Sequence, residues 1–220
     1  MCGRYTLTVT VRDLEEILPG LEAEGDLAPR YNIAPTQDVA VVANDAPRRL
    51  VRVRWGLVPR WAKDASIGNK LINARAETLG EKPSFREAFR KRRCLVLADG
   101  FYEWRKAEGS TKKQPVHVTL RARRAFGMAG LWEEWRSPEG PLRSCAIITT
   151  AANDALRALH DRMPVILSLE AQDAWLAAEP RTPEQLAPLL VPTSEALELR
   201  EVSTRVNSPM HDGPDCLENA

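Results

Sequence analysis

The sequence predicts an α+β domain in which short peripheral helices surround an antiparallel or barrel-like sheet. Three observations carry this reading. Runs rich in β-branched residues recur along the chain, the helical segments between them are short, and regular strand–helix alternation of a parallel α/β fold is absent. A length of 220 residues suits one domain over 1–220 with ample core, and 44% hydrophobic with 28% charged residues is ordinary globular usage.

In chain order, TVRDLEEIL (10–18) places Val11, Leu14, Ile17 and Leu18 at helical spacing, with Thr10 as cap and Pro19-Gly20 as stop. QDVAVVA (37–43) and RLVRVRWGLV (49–58) read as a hairpin about the turn residues NDAPRR. PSFREAFRKRR (83–93) starts with a proline where a first helical turn tolerates it, and CLVLADGFYEW (94–104) reads as a buried strand, a glycine turn and a second strand. Strands are expected at VHVTLR (116–121), FGMAGLW (126–132), CAIITT (145–150) and PVIL (164–167). Helices are expected at AANDALRALH (151–160), EAQDAWLA (170–177) and PEQLAPLL (183–190), and the polar segment 207–220 is expected to be an irregular tail with an exposed Cys216. Cys94 and Cys145, in apolar strands, are expected in the core, with His117 structural and His211 structural or exposed.

The composition excludes several classes. The longest apolar runs, VAVVA (39–43) and CLVLA (94–98), fall far short of the roughly 18 residues of a membrane span. MCGRYTL has no basic-then-apolar leader, and the four cysteines form no CxxC pair, which points to a reducing cytoplasmic compartment. The three histidines and four cysteines show no close ligand spacing, so neither metal nor cofactor is expected. The formal net charge of +1 hides segregation: residues 48–106 carry +10, while 1–47 carry −5 and 150–220 carry −7. Arginine supplies 24 of the 31 cations, which suits bidentate phosphate contacts, although segments distant in sequence can also neutralise one another in the fold.

The sharpest chemical feature is Cys2. A small second residue permits removal of Met1, which leaves a 1,2-aminothiol. Its α-amine, with a pKa of about 7.7–8.0, is partly neutral and nucleophilic near pH 7. Such an amine condenses with an aldehyde to a Schiff base, and the thiol then closes a five-membered thiazolidine. Gly3 permits close approach of the backbone to a ligand, and Arg4 offers an anion grip. Asn73, Glu103 and His160, polar residues in apolar contexts, form a plausible polarising and proton-transfer set. Each also has a plain reading: a turn cap for Asn73, a surface pair with Arg105 for Glu103, and a helix end for His160.

Taken together, MCGRYTL (1–7), RYNIAPTQ (30–37), WGLVPRWAKD (55–64), INARAET (72–78), RRCLVLADGFYEWR (92–105) and TTAANDALRALHDRMPVIL (149–167) resemble the SRAP (SOS response-associated peptidase) family, in order and over nearly the whole chain. The resemblance implies a single SRAP domain. It also implies a monomer, cytoplasmic and nucleoid-associated when on DNA, that covalently captures abasic sites in single-stranded DNA, including single-strand to double-strand junctions. By the same resemblance, Cys2 bonds to the open-ring aldehyde and Asn73 holds the terminal cysteine or the sugar. Glu103 assists ring opening and proton shuttling, and His160 acts as general acid and base. Arg4, Arg75 and Arg162 grip phosphates, Trp61 stacks on a base, and Asn32, Pro35 and Thr149 line the same surface. One departure is local: a family member has two adjacent tryptophans where this chain reads PRWAKD, with Trp61 alone. A slow lyase side activity is compatible with the Schiff base. The rival readings are an amino-terminal cysteine peptidase and a noncovalent single-stranded-DNA binding module.

Overall fold

The computed structural model describes residues 2–106, 113–137 and 139–220; Met1, whose removal the aminothiol chemistry requires, lies outside them. The hairpin expected at 37–58 forms from β3 (Asp38–Ala43) and β4 (Leu50–Trp55), paired antiparallel with Val41 opposite Val51. We number the other strands β1 (Tyr5–Leu7), β2 (Arg30–Ile33), β5 (Asn73–Arg75), β6 (Arg93–Ala98), β7 (Gly100–Lys106), β8 (Lys113–Leu120), β9 (Phe126–Ser137), β10 (Gly140–Ala151), β11 (Arg162–Pro164) and β12 (Leu197–Glu201). The helices are α1 (Val11–Glu15), α2 (Arg86–Lys91), α3 (Asp154–Arg157), α4 (Leu169–Leu176) and α5 (Pro183–Leu186), all short as expected.

Five strands close a ring. β3 pairs β4 and β6, β6 pairs β9, β9 pairs β10, and β10 returns to β4 in parallel at Cys145 opposite Trp55. Closure removes free edges, and a five-stranded barrel is narrow enough for side chains to fill it. Val41, Val42, Val96, Leu97, Met128 and Ile147 are all buried. Past the ring, β10 pairs β5 in parallel and β11 antiparallel. A second, antiparallel sheet runs in the order β12-β8-β7-β1-β2. Among the described residues no helix is long and apolar enough to cross a membrane.

Several expectations change. The strand expected at PVIL (164–167) instead runs as β11 over Arg162–Pro164, with only an isolated bridge from Ile166 to Met128 beyond it. The two strands of 94–104 do not pair: β6 belongs to the barrel and β7 to the second sheet, so the glycine turn is a crossover. Asp99 pins it, accepting from the Thr8 amide at 2.6 Å and from the Thr6 and Thr8 hydroxyls. The helix expected over 151–160 contracts to α3, where the Asn153 side chain caps Leu156 N. The segment 207–220 carries one 3₁₀ turn (Pro214–Leu217) and little other regular structure, but it is packed against the sheet, and Cys216, expected to be exposed, is fully buried. It packs in a small cluster with Tyr102, Val202 and Val206. Asn32 Nδ2 donates to the carbonyls of Val206, Ser208 and His211, and Asp212 accepts from the amides of Tyr31 and Asn32. Hydrogen bonds of this kind hold a polar segment that hydrophobic patterning cannot reveal.

His117 is a titratable group buried in the second sheet. It lies against Tyr102 at 4.9 Å between ring centroids and 3.0 Å from the Thr6 hydroxyl. A Cβ at Gly100 would come within 2.1 Å of its ring, so only glycine fits there. Burial, then the charge of Arg200, pushes the imidazole down to about 3. The folded state therefore refuses a proton that the unfolded chain accepts near its usual pKa of about 6.5. Stability is full above that value and falls as pH drops through the window toward about 3. Urea unfolding at about pH 7 and about pH 5 is expected to show roughly 2 kcal/mol more loss for the wild type than for His117→Asn. Equal losses in both proteins contradict this assignment.

Candidate active site

The site is assembled around Cys2, three residues before β1. Its side chain is fully buried, and its main-chain carbonyl accepts from Asn73 Nδ2 at 2.8 Å. Asn73 opens β5, whose place is set by the barrel: Asn73 sits opposite Ile147 of β10. The preceding carbonyl, Ile72 O, accepts from Ile147 N at 3.0 Å and from the Trp55 indole at 2.9 Å. Asn73 Oδ1 is buried with no partner among the described residues, leaving an acceptor available at the Cys2 main chain.

β7 brings the acid. β1 and β7 lie side by side with Tyr5 opposite Phe101, and Tyr102 N donates to Arg4 O at 3.0 Å. Glu103 is buried, not on an exposed strand, and Arg105 pairs with Glu201 instead. Burial pushes the Glu103 carboxyl up against the lowering influence of positive groups that include His160. The Cys2 thiol is pushed well above its ordinary value, chiefly by burial and next by Glu103. At neutral pH the thiol is therefore protonated.

His160 follows α3. Its Nδ1 accepts from the Arg162 amide at 2.9 Å, so the neutral ring carries its proton on Nε2. Asp161 Oδ1, 2.8 Å from the same Nδ1, accepts from it when the ring is charged. His160 and Glu103 line one cleft of about 490 Å³ with Trp104, Lys113 and Asn207. Trp104 Nε1 donates to Asn207 Oδ1 at 2.7 Å, so the rebuilt tail supplies part of the wall.

The other expected residues divide. Arg75, exposed on β5 and without an ion pair among the described residues, is opposite Thr149 on β10. The buried Thr149 hydroxyl has no partner there. Arg162 opens β11 but is occupied: it forks onto Glu77 at 2.7 and 2.9 Å and donates to Thr149 O at 2.6 Å. Arg4 Nη1 donates to Asn32 Oδ1 and Val206 O, both at 2.8 Å. Asn32 is fully buried, its amide spent on the tail, so it presents nothing to a ligand. Pro35 is half-buried in the turn between β2 and β3.

Trp61 is 57% exposed on the loop between β4 and β5. That loop is fastened at both ends. Leu57 N donates to Leu71 O, Trp135 Nε1 holds Ala62 O at 2.7 Å, and Gly56 crosses Gly68 so closely that a Cβ would meet Gly68 O at 2.7 Å. Glu77 was not anticipated as a site residue. Its signal was present, because Asn73, Arg75 and Glu77 alternate through INARAET.

A barrel whose neighbouring sheet brings Cys2 to Asn73, with the buried Glu103 and His160 beside them, defines a class of barrel-plus-sheet protein with a cysteine-centred candidate site. The chain belongs to the SOS response associated peptidase (SRAP) family, whose model matches residues 1–209. It is 44% identical to the abasic site processing protein YoqW of Bacillus subtilis over the full length of both chains. It is 34% identical to the abasic site processing protein HMCES of Gallus gallus, covering 88% of this chain and 67% of that protein. Among solved structures, a protein of Bacteroides thetaiotaomicron superposes with a TM-score of 0.88 at 26% identity, covering both chains completely. One of Bordetella bronchiseptica gives 0.78 at 25%, covering 92% of this chain and all of that one.

If the Asn73 bond holds Cys2 in its buried pose, Asn73→Ala loosens it by about 1 kcal/mol, the net worth of one hydrogen bond. Alkylation of Cys2, followed by peptide mass mapping, is then expected to run about fivefold faster than in the wild type. An unchanged rate contradicts the tether.

Proposed function

We propose that the protein captures abasic sites in single-stranded DNA, including those at single-strand to double-strand junctions, as a thiazolidine between Cys2 and the deoxyribose aldehyde, shielding the lesion. The observation that supports this most directly is the tether of the Cys2 carbonyl to Asn73, which presents the residue's amine and thiol beside Glu103.

The chemistry follows from the groups present. Ring opening moves a proton from the C1′ hydroxyl of the sugar to O4′, and His160 Nε2 is the donor suited to that oxygen. The neutral α-amine of Cys2, exposed once Met1 is removed, adds to the aldehyde carbon to give a carbinolamine. Glu103, whose raised carboxyl stays protonated further toward neutrality than an ordinary glutamate, gives its proton to the departing hydroxyl; water leaves and an iminium remains. The Glu103 carboxylate then takes the thiol proton as sulfur bonds to the iminium carbon. The sum is one C–N and one C–S bond, with one water released.

This order also explains why a buried, protonated thiol is serviceable. The amine attacks first, and sulfur loses its proton only when a positive iminium lies beside it. A cysteine peptidase needs the reverse, a thiolate poised to attack, and the surroundings of Cys2 disfavour that ion. Outside the cleft, Arg75 and exposed Trp61 are the groups free to meet phosphate and base. Arg162 engages a phosphate by releasing Glu77, and Arg4 through whatever its fixed Nη1 leaves available. The encounter complex is then salt-sensitive, whereas the finished covalent adduct is not. The Schiff base also opens a slow β-elimination route, a lyase side activity.

Two variants test the roles. Cys2→Ser retains the amine but not ring closure, so its adduct with abasic DNA is expected on denaturing gels only after borohydride reduction; a heat-stable adduct without reductant contradicts the thiazolidine. Glu103→Gln is expected to slow crosslinking about a hundredfold while affinity for an intact oligonucleotide stays unchanged. Wild-type crosslinking kinetics in that variant remove Glu103 from the mechanism.

A further inference from the structure

The final turn gathers ligating side chains that this chemistry does not use. His211, Asp215 and Cys216 place their ligand atoms all within 4.8 Å of one another. His211 Nε2 is 2.7 Å from Asp215 Oδ1, while Arg205 donates to the second carboxylate oxygen. The buried Cys216 sulfur lies 3.7 Å from the His211 carbonyl oxygen, and Cys216 N donates to Gly213 O at 3.0 Å, which folds the turn back on itself. A Cβ at Gly213 would sit 2.6 Å from Asp215 Oδ1 and 3.7 Å from His211 Nε2, so glycine keeps the space beside these two atoms open.

We propose that His211 Nε2, Asp215 Oδ1 and Cys216 Sγ bind a divalent transition-metal ion of the Zn²⁺ class. One imidazole, one carboxylate and one thiolate suit zinc, whereas calcium and magnesium require oxygen donors. Bonds of about 2.0–2.3 Å in tetrahedral geometry set donor separations of roughly 3.3–3.8 Å. The His211–Asp215 pair therefore opens slightly and the sulfur side closes. The side chains of His211 and Asp215 are 40% and 25% exposed, so both have room to adjust and the ion enters from their side. A water takes the fourth position. Arg205 holds Oδ2 and leaves Oδ1 to the metal, an outer-shell arrangement that orients a ligand. On binding, the Cys216 thiol proton leaves to solvent and the imidazole coordinates as a neutral ring with its proton on Nδ1. Two metal bonds replace the His211–Asp215 hydrogen bond.

The consequence is mechanical. The His211 carbonyl accepts from Asn32 Nδ2 at 2.6 Å, and Asn32 Oδ1 accepts from Arg4, two residues from Cys2. A metal in this turn stiffens a tail that reaches, through Asn32 of β2 and Arg4, the segment bearing Cys2. All three ligands lie beyond residue 209, where the family match ends. The site excludes Cys2, so metal binding and crosslinking stand or fall separately.

The test is titration of the full-length protein with Co²⁺, read by absorption, then Zn²⁺ competition and thermal unfolding. The wild type is expected to take one equivalent of Co²⁺ with a thiolate-to-cobalt charge-transfer band, to lose that band to Zn²⁺, and to melt higher with Zn²⁺ bound. The band is expected to vanish in Cys216→Ser and to persist in Cys2→Ala; affinity is expected to fall at least tenfold in His211→Gln. The proposal is overturned if the wild type gives no band, if the band survives in Cys216→Ser, or if it is lost in Cys2→Ala, which would place the metal on the amino-terminal aminothiol. Should Cys216→Ser fail to fold, His211→Gln decides alone, because that ring is partly exposed: unchanged cobalt affinity there rejects the site.

Discussion

Strand β10 carries the register on which the Asn73, Arg75 and Arg162 side of the site depends. Its twelve residues pair with β9, β4, β5 and β11, so one strand closes the barrel and seats the two short strands that bear Asn73, Arg75 and Arg162. Each of those short strands has only three residues and could not hold a position alone. Side chains alternate along a strand, so a slip of one residue on β10 would turn Asn73 away from Cys2 and Arg75 to the opposite face. The barrel is in this sense the jig, and the second sheet brings Cys2 and Glu103 to it.

The electrostatics of the site follow from burial more than from charge pairing. Glu103 and Cys2 are both buried, and each is shifted toward its protonated form, with desolvation the leading cause in both. Groups shifted toward their protonated forms suit a reaction in which one proton must be given to a leaving hydroxyl and another withdrawn from sulfur in sequence. The cations nearby are managed differently. Arg162 and Arg4 are held by internal acceptors, while Arg75 and the aromatic face of Trp61 remain open to solvent. The held arginines tie Asn32, Val206, Thr149 and Glu77 together, whereas Arg75 keeps its charge at the surface.

Local patterns were legible in the sequence where local physics decides the structure. The hairpin of β3 and β4, the short helices and the long strands β9 and β10 stand near their expected places, because β-branched runs and turn residues report on their own neighbourhoods. The parallel pairings of β10 with β4 and β5 were not, since they join segments more than seventy residues apart. The same limit explains Asn32 and Cys216. An asparagine in RYNIAP carries no local mark separating a surface amide from one that caps three carbonyls of a distant tail. A cysteine among polar neighbours reads as exposed until those neighbours are seen to spend their polarity inward. Cys2, Asn73, Glu103 and His160 were singled out through chemistry and family resemblance; the fold brings Asn73 and Glu103 to Cys2, and His160 lines one cleft with Glu103.

The central claim is that Cys2 uses both of its nucleophiles on one aldehyde carbon. Intact mass spectrometry of the purified protein, before and after incubation with a single-stranded oligonucleotide bearing one abasic site, tests this most directly. The account predicts loss of Met1, then a species equal in mass to protein plus DNA less one water, stable without reductant and mapped to residue 2. A folded protein lacking Met1 that remains unmodified by abasic DNA would contradict it.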